Sequence, residues 1–169
     1  MIIDCNKLLE ILSIKTHKII IAFDWGKNCT GVAITDDTMQ MILPCSPVIM
    51  ADAKNKKNFW AKLVADYNAD AVVIGIPKHH EDMPNPTAES IMIFANTLNA
   101  ELIDSGFTGD NEIPISFIDE SGTSKAAENL QHDTMTAGTK LTRKKKRESL
   151  NSLSACLILE RFICKQSVL

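Results

Sequence analysis

Two acidic residues in this sequence follow runs of apolar residues and are the first candidates for chemistry. Asp24 follows the run 19–23 and precedes Trp25 and Gly26, while Glu120 follows the run 113–118 and Asp119. Such runs predict buried strands, and sites in open α/β sheets lie beyond the carboxyl ends of strands. We therefore expect the two carboxylates at one end of a sheet. The alternative for each is an ordinary acid in a turn or at a strand end.

A basic run at residues 140–147 is the second candidate. It holds six Lys and Arg residues and no acid, although the whole chain has a net charge of −3. Because the rest of the chain is acidic, any contact with nucleic acid is expected to be local to this run. We interpret the run as a phosphate-binding loop, with a solvated connection as the alternative. Its candidate residues are Arg143, Lys144, Lys145, Lys146 and Arg147.

A third cluster, His79-His80-Glu81-Asp82, holds residue types that bind metal ions. Adjacent side chains on a loop point apart and lack the helical spacing of a zinc site, so the cluster is typical of a solvated loop. The five cysteines are scattered without a Cys-x-x-Cys pair. That pattern fits neither a disulfide framework nor a zinc site.

The elements that must position these residues follow from hydrophobic periodicity. Three closely spaced strands from residue 18 to residue 43 predict an antiparallel meander. A helix after Pro47, a strand at 71–76, a helix that begins after Asn85, and a strand at 113–118 come next. A short helix from Thr123 to about Leu130 precedes the basic run, and an apolar helix at 150–164 closes the chain.

This order predicts an α/β fold, a mixed sheet of a three-strand antiparallel meander plus two parallel strands, with helices on both faces. Residues 1–17 are expected to form a helical appendage, and residues 18–169 a single domain. With 169 residues, 45% of them hydrophobic, the chain can bury a core. No apolar run approaches the roughly 18 residues of a membrane span, and no secretory signal is evident, so we expect a cytoplasmic protein.

The motifs, taken in order, resemble the small bacterial RNase H-like family described as Holliday junction resolvases and as pre-16S rRNA nucleases. The resemblance runs from about Ile19 to Arg161. Its pieces are Asp24-Trp25-Gly26, Gly31-Val32-Ala33, Gly75-Ile76-Pro77, Pro86-Thr87-Ala88-Glu89, Asp119-Glu120, the basic run and the segment 155–160. Each piece alone is weak, but their order and spacing are fairly specific.

The resemblance implies hydrolysis of phosphodiesters by a carboxylate cluster that holds Mg²⁺ or Mn²⁺. Asp24 and Glu120 match two of the family's acids, and Asn151 stands where the family usually has a third, an aspartate. Asn151 offers only a neutral oxygen, which predicts weaker cation binding. The basic pair that the family carries after its first glycine is replaced here by Asn28 and Cys29, which leaves Lys27 alone, and Ser121 replaces an arginine. Both lost groups would have faced phosphates.

The expected function is that of a metal-dependent nuclease on structured nucleic acid, which processes the 5′ end of pre-16S rRNA in ribosome biogenesis. Asp24, Glu120 and Asn151 would hold the metal, while Lys27 and the basic run would position the phosphate backbone. The alternatives are a Holliday junction resolvase acting on branched DNA and a non-catalytic nucleic-acid-binding protein with a decayed site. The expected state is a monomer or a homodimer, because a resolvase would need two-fold symmetry and an RNA-trimming enzyme would not.

Overall fold

The computed structural model describes residues 1–16, 18–77, 85–120 and 143–166. Three of the predicted features lie outside the described residues. They are the cluster His79-His80-Glu81-Asp82, the short helix from Thr123 to about Leu130, and the first residues of the basic run, 140–142.

A six-stranded mixed sheet forms the centre of the protein. Its strands are β1 (Ile20–Asp24), β2 (Cys29–Thr35), β3 (Ile42–Pro44), β4 (Val48–Ile49), β5 (Ala71–Ile76) and β6 (Ile115–Asp119). The order is β3-β2-β1-β5-β6, with the short β4 also paired to β2. The pairs β1–β2 and β2–β3 are antiparallel, whereas β1–β5 and β5–β6 are parallel. The predicted mixed sheet is therefore confirmed, with β4 as an additional strand.

Helices cover both faces of this sheet. They are α1 (Cys5–Ser13), α2 (Met50–Lys54), α3 (Phe59–Asp66), α4 (Pro86–Asp104) and α5 (Arg143–Gln166). One buried cluster joins the sheet to α3 and α4 through residues such as Trp60 and Phe94, and another joins the opposite face to α1 and α5 through Leu8 and Phe162. Strand β1 is buried on both faces, which explains its continuous apolar sequence.

Local chemistry sets the helix boundaries. Asn85 caps α4 as predicted, because its side chain accepts hydrogen bonds from the backbone N–H groups of Thr87 and Ala88. The predicted helix after Pro47 is divided into α2 and α3, since Asn58 adopts a left-handed conformation with φ of 51°. The carboxylate of Glu101 on α4 then accepts from the first N–H groups of α3.

The structure corrects the predicted conformation of the basic run. We predicted a loop through residue 147, but α5 begins at Arg143, so the backbone of Arg143, Lys144, Lys145, Lys146 and Arg147 is helical. Lys and Arg are good helix formers, and a charge run carries no signal that distinguishes a loop from the first turns of a long helix.

The N-terminal segment packs closely on the sheet. Leu8, Leu9 and Leu12 of α1 are buried, in keeping with the predicted amphipathic helix. Ile2 forms a parallel bridge with Ile115, at the free edge of β6. Residues 1–3 thus continue the sheet beyond β6, and the division between residues 17 and 18 stays a prediction.

The described helices include none with both the length and the apolar character that a membrane crossing requires. All five cysteines are free, as their spacing predicts.

Candidate active site

Asp24 and Glu120 meet at the end of the sheet. Asp24 is the last residue of β1, and Glu120 directly follows β6, with its N–H bonded to the carbonyl oxygen of Ile76 at the end of β5. Their side chains form a hydrogen bond. Burial, and then the facing charge of Glu120, raise the pKa of Asp24 to about 7. Asp24 therefore keeps a proton at mildly acidic pH and donates it to Glu120.

Glu120 is held between charges of both signs. Burial raises its pKa, the hydrogen bond from Asp24 opposes that rise, and the charges of Asp119 and Arg161 act in opposite directions. The guanidinium of Arg161 also donates a hydrogen bond of 2.8 Å to the carbonyl oxygen of Asp119. Arg161 thus fixes the backbone that carries Glu120 and supplies a positive charge beside it.

Helix α5 supplies the remaining polar side chains of the site, which are Asn151, Ser154 and Arg161. Together with Ile158 they follow the 3-4-3 spacing that places side chains on one helical face. Ser154 is 4% exposed and donates a hydrogen bond to Asp24 that lowers the pKa of that carboxyl. One helix therefore contacts Asp24 through Ser154 and places the charge of Arg161 near Glu120.

Asn151, the third predicted site residue, lies one turn before Ser154. Its side-chain N–H₂ group donates a hydrogen bond of 3.3 Å to the carbonyl oxygen of Cys29, at the start of β2. That contact ties α5 to the sheet and leaves the amide oxygen of Asn151 as an acceptor. The structure brings Asp24 and Glu120 into direct contact, whereas the hydrogen bond of the Asn151 side chain is to Cys29 rather than to either carboxylate.

Two glycines allow these close approaches. A Cβ atom on Gly31, which pairs with Asp24, would lie 2.0 Å from the carbonyl oxygen of Asn151. A Cβ atom on Gly75 would lie 2.6 Å from a carboxylate oxygen of Glu120. The overlap at Gly31 is with helix backbone, so only glycine lets α5 lie there, whereas the overlap at Gly75 is with the end of the Glu120 side chain, which would have to shift.

The predicted phosphate-binding residues lie on two elements, the turn after β1 and the first turns of α5. Lys27 is exposed in the turn between β1 and β2. The backbone of residues 143–147 forms the first turns of α5, upstream of Asn151 on the same helix. At 1.5 Å per residue, these positions lie about 10–17 Å along the helix axis from Ser154.

Sequence reasoning missed Ser154 and Arg161. A signal was available, because both are polar residues in a mostly apolar helix and both share the heptad-like spacing of Asn151. Among the described residues, no group of three or more His, Cys, Asp and Glu side chains lies close enough to hold a metal ion. Within the described ranges, Asp24 and Glu120 are the acids that we assign to the candidate site.

Ser154→Ala is expected to raise the pKa of Asp24, because it removes a hydrogen bond that favours the ionised carboxylate. A carbon-detected NMR titration of the Asp24 carboxyl group measures this shift. Ser152→Ala is the matched control, since Ser152 is equally buried but donates to the carbonyl oxygen of Cys45. Equal shifts in both variants would contradict a specific contact between Ser154 and Asp24.

Comparison with known proteins identifies relatives over most of the chain. A protein from Listeria monocytogenes serovar 1/2a named "Putative pre-16S rRNA nuclease" is 31% identical over 153 residues, which cover 85% of this chain and 96% of the relative. A protein of the same name from Natranaerobius thermophilus is 29% identical over 150 residues, covering 87% of this chain and 94% of the relative.

The solved structures support the same fold. Thermus thermophilus RuvC, solved in complex with a Holliday junction substrate, superposes with a TM-score of 0.51 at 9% identity, over 88% of this chain and 96% of that chain. The predicted RNase H-like fold is thereby confirmed. The family model described as "RuvX: Holliday junction resolvase" matches residues 18–165. The chain therefore belongs to the RuvX family of nucleases, described as Holliday junction resolvases.

Proposed function

We propose that this protein is a metal-dependent nuclease that cuts structured RNA at the 5′ end of pre-16S rRNA. The observation that carries the proposal is the Asp24–Glu120 pair, two carboxylates in hydrogen-bond contact at the carboxyl ends of parallel strands. The names of the relatives favour rRNA as the substrate. The family description favours branched DNA as the second candidate.

The donor set of the pair fits a hard divalent cation such as Mg²⁺ or Mn²⁺. Both side chains offer carboxylate oxygens, which these ions prefer, and the pKa of each acid is raised chiefly by burial, a cost of ionisation that a bound cation would offset. When bound, the ion activates water and offsets charge on the leaving oxygen. Asp24 and Glu120 would hold it, and Asn151 would add its neutral amide oxygen.

The protein's own groups prepare this site. Ser154 orients Asp24, and Arg161 fixes the Asp119–Glu120 backbone, so the two carboxylates are held at one place for a cation. Lys27 and the basic first turns of α5 would hold the phosphate backbone without reading its sequence. The acidic remainder of the chain repels nucleic acid elsewhere, which restricts the contact to this end of the sheet.

The test is a cleavage assay on two substrates, a 5′ fragment of pre-16S rRNA and a four-way DNA junction, each with Mg²⁺, Mn²⁺ or EDTA. We expect metal-dependent cleavage of the RNA by the native chain and by Asp66→Asn, a matched change at an exposed acid. Asp24→Asn is expected to be inactive. Cleavage of the junction alone would favour the resolvase, and cleavage that survives in Asp24→Asn would overturn the proposed site.

The amide of Asn151 favours another candidate, a binding protein that retains the fold without cutting. Asn151→Asp is expected to tighten Mn²⁺ binding about tenfold, because it adds a charged oxygen to the site. It is also expected to reduce the free energy of unfolding by about 1–3 kcal/mol, because the Cys29 carbonyl loses its donor. Calorimetric Mn²⁺ titration and urea unfolding measure the two effects.

The same variant decides between the nuclease and the binder. If only Asn151→Asp cuts, the native chain is a binder with a decayed site. Asn111→Asp, on an exposed turn, is the matched control for the added charge. Equal Mn²⁺ affinities for the native chain and Asn151→Asp would show that residue 151 does not contact the metal.

A further inference from the structure

A cavity of about 330 Å³ lies on the opposite face of the sheet from α5, between α2, α3 and α4. We call it the Trp25 pocket. Its apolar lining includes Trp25, Trp60, Phe94 and Ile93, and its polar lining includes Lys56 and Glu101. A volume in this range, with apolar walls and a few polar groups, is typical of sites for small ligands.

The Trp25 pocket adjoins the Asp24–Glu120 pair through the chain itself. Phe23, Asp24 and Trp25 are consecutive, so their side chains alternate between the two faces of the sheet. Phe23 and Trp25 pack against the α3–α4 cluster, whereas Asp24 contacts Ser154 of α5. Because consecutive Cα atoms are about 3.8 Å apart, the pocket begins within one residue of the candidate metal ligand.

The floor of the pocket is rigid. Trp60 makes edge contacts with Phe94 at 4.8 Å, with Phe59 at 5.2 Å and with Phe23 at 5.6 Å between ring centroids. Trp60 and Phe94 are each 5% exposed. Trp25 is only partly buried, which leaves part of its ring available to a ligand. A flat aromatic group would therefore meet a preorganised surface and lose little free energy to rearrangement of the protein.

The polar lining favours a nucleobase over an aliphatic group. One carboxylate oxygen of Glu101 accepts N–H groups of Trp60 and Ala61, at 2.7 and 3.2 Å, which fixes the side chain at the pocket. Glu101 lines the pocket, and a carboxylate has lone pairs beyond these two bonds that accept an N–H group of a base. Lys56 lies over the ring of Phe59 at 5.5 Å, where its charge attracts a phosphate on the same strand.

We propose that the Trp25 pocket binds one unstacked nucleobase of the strand whose phosphate lies at Asp24 and Glu120. The inference rests on the proposed function, since it needs a nucleic acid at the carboxylate pair. An aromatic side chain stacks on any base, so this contact would hold the strand without selecting its sequence. It would restrict cutting to strands with a base free to leave its stack, such as loops and unpaired ends.

The test measures the affinity of one unpaired RNA oligonucleotide in EDTA, together with a series in which each nucleotide in turn lacks its base. Trp25→Ala is expected to weaken binding of the intact RNA about tenfold, as the loss of one stacked base does. One abasic position should weaken binding to the native chain equally and to Trp25→Ala no further. Trp25→Phe, which keeps a ring, should restore most of the affinity.

A second pair of variants tests the pocket while the Trp25 side chain stays in place, so the result does not depend on whether Trp25→Ala folds. Ile93 is 67% exposed at the pocket, and Ile103 is 49% exposed elsewhere on α4. Ile93→Glu should weaken binding of the intact RNA more than Ile103→Glu does, with no difference for the RNA that lacks the pocket base. Equal losses in the two variants would overturn the proposal.

Two other results would also overturn it. If every abasic RNA loses the same further affinity in Trp25→Ala, the tryptophan does not contact a particular base. If the RNA affinities are unchanged but Ile93→Glu alters the sedimentation of the protein, the pocket binds another protein chain. A failure of the proposed function gives a different result, in the cleavage assay: metal-dependent cleavage that does not require Asp24.

Discussion

Asp24→Asn is expected to reduce metal-dependent cleavage by about a thousandfold or more and, at the same time, to stabilise the metal-free protein above pH 7. The first effect follows because a metal ligand is lost, and a bound ion contributes several kcal/mol of transition-state stabilisation. The second follows because asparagine resembles the protonated acid. Its N–H₂ group can donate to Glu120, and its oxygen can accept from Ser154.

The direction of the stability change follows from the pKa of Asp24. Folding raises that pKa from 3.8 to about 7, so the stabilising contribution of the protonated form is complete below pH 3.8 and is lost as the pH rises through 7. Above pH 7, the ionised carboxylate costs up to about 4 kcal/mol. Asp24→Asn removes this cost, and a bound divalent cation would offset it in the native chain.

Urea unfolding at pH 5 and pH 8, in EDTA and in Mg²⁺, measures these effects. The gain in stability from Asp24→Asn is expected to be larger at pH 8 than at pH 5, and to shrink when Mg²⁺ stabilises the native chain. Asp66→Asn is the matched control, because Asp66 is exposed and lies outside the candidate site. A gain that does not depend on pH would mean that Asp24 is already ionised in the metal-free protein at pH 5.

Gly31→Ala is expected to reduce the free energy of unfolding by more than about 3 kcal/mol. The added Cβ would lie 2.0 Å from the carbonyl oxygen of Asn151 and 3.0 Å from the backbone nitrogen of Ser152. Both atoms belong to the backbone of α5, so no change of side-chain rotamer relieves the overlap. Helix α5 must move away from β2, which also displaces Ser154 from Asp24.

Gly109→Ala is the matched control for Gly31→Ala. Gly109 has a φ of 63° with no atom within 4 Å of a built Cβ, so alanine there meets backbone strain alone. That strain costs about 1–2 kcal/mol. Urea unfolding compares the two, and cleavage by any folded Gly31→Ala protein reports on the displaced helix. A loss in Gly31→Ala no larger than in Gly109→Ala would contradict the close packing of α5 on β2.

The sequence by itself determined most of the fold. The continuous apolar runs of β1 and β5 predict buried neighbouring strands, and Asn85 with Pro86 predicts the start of α4. It also placed Asp24 and Glu120 after strands whose parallel order brings their ends together. These features depend on periodicity and on residues near each other in the chain, so they can be predicted without knowledge of the tertiary contacts.

Tertiary structure alone decided how those residues meet. The proton between Asp24 and Glu120 depends on burial and on two charges 96 positions apart in the sequence. Ser154 and Arg161 become part of the site only because α5 lies across the end of β1. The Trp25 pocket likewise requires three helices to converge on one aromatic cluster, and such convergence is set by packing between distant segments, which no local pattern encodes.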